Sequence, residues 1–119
     1  MRFGRLTERA KVAISLVLIA GSLTGLGVIR SLAAAQYTVS QKGREFHPNT
    51  LTIQRGDTIV IVNDDGDLRH HAYIDSDKFS FDSGDQEPGS KTALTIPVAG
   101  DFDVLCAIHP KMKLVVHVK

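Results

Sequence analysis

The stretch that decides the fold of this chain is CAIHPKM, residues 106–112. It places a thiol, an imidazole and a thioether at two equal spacings, because His109 follows Cys106 by three residues and Met112 follows His109 by three. Pro110 has a fixed φ and no N–H, so it stiffens the loop directly after His109. Cys106 is the single cysteine of the 119 residues and cannot form a disulfide within the chain. The spacing therefore predicts a metal-binding loop.

The donor types of this loop favour copper over zinc or iron. Copper accepts a trigonal set of one Cys and two His with a long, weak axial Met. The loop supplies Cys106, His109 and Met112, so a second His has to come from elsewhere, and the pair His70-His71 is the obvious source. Neighbouring residues of a strand point to opposite faces of a sheet, so only one of the two can easily face the loop. The residue pattern alone leaves that choice open.

Each of these residues also has an ordinary structural explanation. A lone Cys in an exported protein can be buried and inert, and a Met at the start of a strand is often core filler. His47 and His117 fit plain surface positions and are left out of the predicted site. What favours a metal site is that three suitable donors share one short loop.

The first 35 residues have the pattern of an export segment. Four basic side chains lie within residues 2–11, residues 12–29 carry no charge, and three alanines occupy residues 33–35. This order predicts either a secretory signal cleaved after Ala35 or a retained N-terminal membrane anchor, since 18 residues are just long enough to span a bilayer. In both cases residues 36–119 are exported, which predicts a periplasmic or other extracytoplasmic location.

Residues 36–119 form the predicted domain of 84 residues. It contains nine Lys and Arg against twelve Asp and Glu, a net charge of −3, so the overall charge of +1 comes from the export segment. There is no basic patch with interleaved aromatic residues, which argues against nucleic-acid binding. A domain this small has a thin core, and without an internal disulfide a bound metal ion would stabilise it.

The domain is predicted to be all-β. No part of it has helical apolar spacing over three turns, and short β-branched or alternating segments are separated by turn residues. This pattern is typical of a Greek-key β-sandwich. The predicted strands include residues 51–53, 58–62, 71–74, 94–96, 102–105 and 114–118.

Beyond the ligand loop, several motifs resemble the cupredoxins, the small blue copper proteins that include plastocyanin-like and amicyanin-like members. The motifs are FHP at 46–48, LTI at 51–53, GDT at 56–58, HHAYID at 70–75 and GDFDVLC at 100–106. The resemblance covers nearly all of residues 36–119. It puts His70 at the first ligand position and implies one type 1 copper ion held by His70, Cys106, His109 and Met112. The family usually has Asn after the first His, where this chain has His71.

The resemblance implies a non-enzymatic carrier of single electrons between redox proteins that dock near His109. We expect such a protein to be a monomer. A binuclear copper centre would need a second Cys, which the chain lacks. The alternative is a periplasmic copper-binding or delivery protein, which would use the same donor types with faster metal exchange.

Overall fold

The computed structural model describes residues 33–119, of which residues 34–119 form one compact unit. No helix in this part of the chain is long and apolar enough to cross a membrane. Nine strands make up the unit. They are β1 (Gln36–Lys42), β2 (Glu45–His47), β3 (Thr50–Ile53), β4 (Thr58–Asn63), β5 (Ala72–Asp75), β6 (Ser80–Asp82), β7 (Lys91–Thr95), β8 (Gly100–Cys106) and β9 (Lys113–Val118).

The strands form two mixed sheets. The four-stranded sheet has the order β2-β1-β4-β7, and the five-stranded sheet has the order β3-β9-β8-β5-β6. Each sheet contains one parallel pair, β1 with β4 and β3 with β9, while the other pairs are antiparallel. The predicted all-β sandwich is confirmed.

Alternation of side chains along the inner strands builds the core between the sheets. In β4, Ile59 and Ile61 are fully buried, while Val60 between them is half-buried. In β9, Leu114 and Val116 are buried in the same way. Successive side chains of a strand point to opposite faces, so each sheet contributes one apolar face to a shared core.

A tight hairpin joins β1 to β2. Lys42 pairs with Glu45, and the two residues between them, Gly43 and Arg44, have φ angles of 62° and 59°. Positive φ at both central residues is the mark of a type I′ turn, whose twist matches that of the flanking strands. Arg44 therefore holds a left-handed conformation that costs a non-glycine residue about 1–2 kcal/mol.

The N-terminal edge of the unit is held by Asp57. Its carboxylate accepts a hydrogen bond from the Ala35 N–H at 2.9 Å, and the Ala35 carbonyl accepts one from the Thr58 N–H at 3.0 Å. These two bonds hold Ala35 directly before β1. Residues 1–32 of the predicted export segment lie outside the described residues, and the division at residue 35 stays a prediction.

All six predicted strand segments overlap strands of the structure, but three further strands escaped prediction as independent elements. β1 reads QYTVSQK, in which polar residues occupy both faces, so its apolar alternation is weak. β2 and β6 have three residues each and carry no usable periodicity. Such strands are specified mainly by packing against the neighbouring strand, so their own sequences give only a weak prediction of β-structure.

Truncation of Ile61 to Ala should destabilise the domain by about 2–5 kcal/mol, because it opens a cavity in the fully buried core. Val60→Ala, on the half-buried face of the same strand, is the matched control and should cost clearly less. Urea unfolding of both metal-free variants followed by circular dichroism measures the two losses. Equal losses would contradict the assignment of the Ile61 face to the core.

Candidate metal centre

The position of Cys106 follows from the pairing of β8 with β5. Cys106 is the last residue of β8, lies opposite Ala72 in the register, and shares the inward face of β8 with Phe102 and Val104. Its side chain is buried, with 3% of its surface exposed. The thiol therefore lies at the end of the core, where the strand gives way to the loop.

The same pairing brings His70 to Cys106. His70 precedes Ala72 by two residues, so the period of a strand puts both side chains on the face that Cys106 also uses. Two backbone hydrogen bonds hold His70 to Gln86, one from the His70 N–H at 3.0 Å and one from the Gln86 N–H at 2.7 Å. The His70 side chain is fully buried.

A β-turn sets the spacing of His109 and Met112. The Met112 N–H donates a hydrogen bond to the His109 carbonyl at 3.0 Å, which closes a four-residue turn. Pro110 occupies its second position, where the fixed φ of proline is favoured. At the start of the loop the Ala107 N–H donates to the His71 carbonyl at 3.0 Å, so the loop is tied to the residues that precede β5.

Three donor atoms converge at this end of the sandwich. The Cys106 Sγ lies 4.0 Å from the His70 Nδ1 and 3.7 Å from the His109 Nδ1, and the two nitrogens are 3.2 Å apart. The two imidazole rings meet edge to face, with centroids 5.0 Å apart. A triangle with these three sides has a circumscribed radius of about 2.1 Å, which is the length of metal bonds to imidazole nitrogen and close to that of bonds to thiolate sulfur.

The donor set fits a single copper ion. Two imidazoles and one thiolate in a triangle form the trigonal arrangement that copper accepts, whereas a structural zinc site usually has four strong donors in a tetrahedron. Metal binding needs neutral imidazole. Burial lowers the pKa of His109, and the nearby Arg44 guanidinium lowers it further, so the neutral form is favoured.

The remaining predicted residues have different surroundings. The ring of His71 lies with Asp82 and Asp85, at Nε2–Oδ1 and Nδ1–Oδ1 distances of 2.5 and 3.4 Å, and is not part of the donor triangle. Met112 is buried on the same loop as His109, with 1% of its surface exposed. Its role as a weak fourth donor stays a prediction.

Sequence reasoning missed the polar groups that hold His70. The His70 Nε2 lies 2.6 Å from the Asp65 carboxylate, and the backbone of His70 pairs with that of buried Gln86. The Gln86 side chain in turn accepts hydrogen bonds from the Gln41 Nε2 at 2.7 Å and the Ala72 N–H at 3.1 Å. Asp65 lies in the polar loop of residues 63–67, and nothing in its spacing from His70 distinguishes it from the other acidic residues there.

The half-buried His109 borders a surface groove. The β1–β2 turn and the ligand loop form its two sides. Ile108, which precedes His109 in the chain, is 42% exposed and is the exposed large hydrophobic residue within residues 33–119. The groove is thus the place where the donor triangle comes nearest to the surface. Its lining residues are Gly43, Arg44, Glu45, His109, Pro110, Lys111 and Met112.

Copper proteins are among the solved structures that share this architecture. The Cu-containing nitrite reductase (NirK) from Thermus scotoductus SA-01 is 30% identical over 74% of this chain, with a TM-score of 0.66. A Cu(I) form of an amicyanin variant is 20% identical over 74% of this chain, and an oxidised form of another is 20% identical over the same share; both have a TM-score of 0.65. No protein-family model matches this sequence, and no curated protein does.

The domain has the cupredoxin fold. The cupredoxin resemblance predicted from the sequence motifs is therefore confirmed for the architecture. The chain spans 86% of the length of amicyanin but 23% of the nitrite reductase. The likeness to amicyanin is thus one of whole domains, and the likeness to the reductase concerns one part of a larger protein. At 20% identity the amicyanin structures show only that the fold is shared. Any inference about function has to come from the residues of the site.

Replacing His70 by Ala should weaken binding of Cu(II) strongly, because it removes one corner of the donor triangle. His71→Ala is the matched control at the adjacent position and should bind Cu(II) as the unmodified protein does, since its ring lies with Asp82 and Asp85. Competition titration against a chromophoric chelator measures both affinities. Loss of binding in His71→Ala with retention in His70→Ala would contradict the ligand assignment.

Proposed function

We propose that this protein is an exported type 1 copper protein that carries single electrons between redox partners. Its ligands are His70, Cys106 and His109, with Met112 as the weak axial donor. The observation that carries the proposal is the convergence of one thiol and two imidazole nitrogens at mutual distances of 3.2–4.0 Å. Copper bound there would supply a one-electron couple between its +1 and +2 states.

The protein's contribution is to hold the donors still. Cys106 and His70 are fixed by the β5–β8 pairing and by the backbone bonds to Gln86, and the β-turn holds His109 to Met112. Donors that are already in position need little rearrangement when the charge of the metal changes. Electron transfer then costs little reorganisation of the chain.

A closed donor set argues for a carrier and against an enzyme. Catalytic metal sites keep one position open for water or substrate. With Met112 added to the three strong donors, no position remains. The likeness to a part of a nitrite reductase supports the copper site and does not extend to the activity of that much longer protein.

The partner surface of the proposed carrier is the groove beside His109. This ring is half-buried and borders the groove, so its edge gives electrons the shortest route between the metal site and the surface. Ile108 and Pro110 supply apolar surface that a partner can cover. A transient complex of a monomeric carrier needs only a small contact area of this kind.

Delivery of copper is the second candidate, and the same groove favours it. The half-buried His109 and the buried Met112 both line this groove. A partner's thiols could approach the metal from that side. The two functions differ in the rate at which reduced copper leaves the protein.

Copper should stabilise the folded domain, because a ligand that binds only the native state adds about 2.7 kcal/mol at a free concentration of 100 Kd. Thermal unfolding of the metal-free and Cu-loaded proteins should therefore differ by several degrees. Cys106→Ser, which removes the thiolate, is the control and should lose most of the difference. Identical melting curves for the unmodified protein with and without copper would count against a metal site.

The deciding experiment for function combines three measurements on the Cu-loaded protein. We expect an intense visible thiolate-to-copper absorption band that disappears on reduction and is absent in Cys106→Ser. We also expect rapid electron self-exchange, and slow loss of Cu(I) to a competing chelator. A colourless copper complex would refute the type 1 site. Slow electron exchange with loss of Cu(I) within seconds would favour copper delivery.

A further inference from the structure

The outer nitrogen of the His70 ring is held by a carboxylate. His70 turns its Nδ1 towards Cys106 and His109, while its Nε2 lies 2.6 Å from the Asp65 Oδ2. The His70 side chain is fully buried, and the Asp65 side chain is only 10% exposed. Water therefore has little access to this hydrogen bond.

The Asp65 carboxylate is itself held in place. Its Oδ1 accepts a hydrogen bond from the Gly43 N–H at 3.0 Å, and the Asp65 N–H donates to the Asn63 Oδ1 at 3.0 Å. The Asn63 Nδ2 in turn donates to the backbone carbonyls of Leu68 and Gln86 at 2.8 and 2.9 Å. The carboxylate thus joins the β1–β2 turn to the segment that carries His70.

We propose that Asp65 is a positioning residue for the metal centre and that its charge lowers the reduction potential of bound copper. This inference rests on the proposed function. An ionised carboxylate only accepts hydrogen bonds, so the proton of a neutral His70 has to lie on Nε2, which leaves the Nδ1 lone pair free for the metal. Carboxylates in this outer position orient the imidazole and increase its basicity.

The charge of Asp65 should act on the copper ion more strongly than the charge of its neighbour. A negative charge in poorly solvated surroundings stabilises the more positive, oxidised ion, because the interaction is weakly screened. Asp64 is exposed and accepts a hydrogen bond from the Ser40 hydroxyl, so water screens its charge.

The test compares Asp65→Asn with Asp64→Asn, two variants that remove one negative charge at adjacent positions. Asp65→Asn keeps an oxygen that can accept the His70 N–H but loses the charge. We expect it to shift the equilibrium with a reference redox couple about tenfold towards reduced copper, which corresponds to about 59 mV for a one-electron couple. Asp64→Asn should change the potential much less. Asp65→Ala should in addition weaken Cu(II) binding about 10–100-fold.

A second readout needs no copper. In the metal-free protein, nitrogen-15 NMR of the His70 ring should show the proton on Nε2, and in Asp65→Ala this preference should be lost. Equal potentials for Asp65→Asn and Asp64→Asn, or a His70 proton on Nδ1 in the unmodified protein, would overturn the inference. Failure of the unmodified protein to bind copper would refute the proposed function instead, and the NMR spectrum would still decide whether Asp65 sets the protonation of His70.

Discussion

The pairing of β5 with β8 is the constraint on which the candidate centre depends. The register sets Ala72 opposite Cys106, and the period of two along a strand then brings His70 to the same face. A shift of one residue would turn His70 away and present His71 in its place. Such a shift would also turn the apolar residues of β5 out of the core, so burial of Ala72 and Ile74 protects the geometry of the donors.

A group of buried amide side chains lies next to this centre and is linked to the His70 backbone through Gln86. Gln41, Asn63 and Gln86 are all buried, and most of their hydrogen-bonding groups have partners among one another or in the backbone. Buried amides of this kind stabilise a structure less than an apolar core would, but they define the orientation of the segments that they join. Here they join β1, β4 and the loop before β5.

Much of the architecture could be predicted because the relevant patterns lie within short segments of the sequence. The alternation of buried and less buried side chains in β4 and β9 follows the apolar pattern of their sequences. The spacing of Cys106, His109 and Met112 can likewise be read from the sequence. The second histidine donor was harder to assign, since His70 and His71 are adjacent and only the strand register distinguishes them. Asp65 and Gln86 could not be recognised at all, because their importance arises from contacts across the chain. An Asp in an acidic loop and a Gln between two acidic residues look like ordinary surface residues.

The donors come from two distant parts of the chain, with His70 separated by 36 residues from Cys106 and by 39 from His109. No local segment can assemble the triangle, so it forms only after the long-range pairings of the larger sheet have closed. Formation of such non-local contacts is slow compared with the folding of helices or hairpins. The donor triangle consequently cannot form before these strands pair, and opening of the sheet is enough to separate its donors. Unfolding of the sandwich would therefore release a metal ion held by these donors.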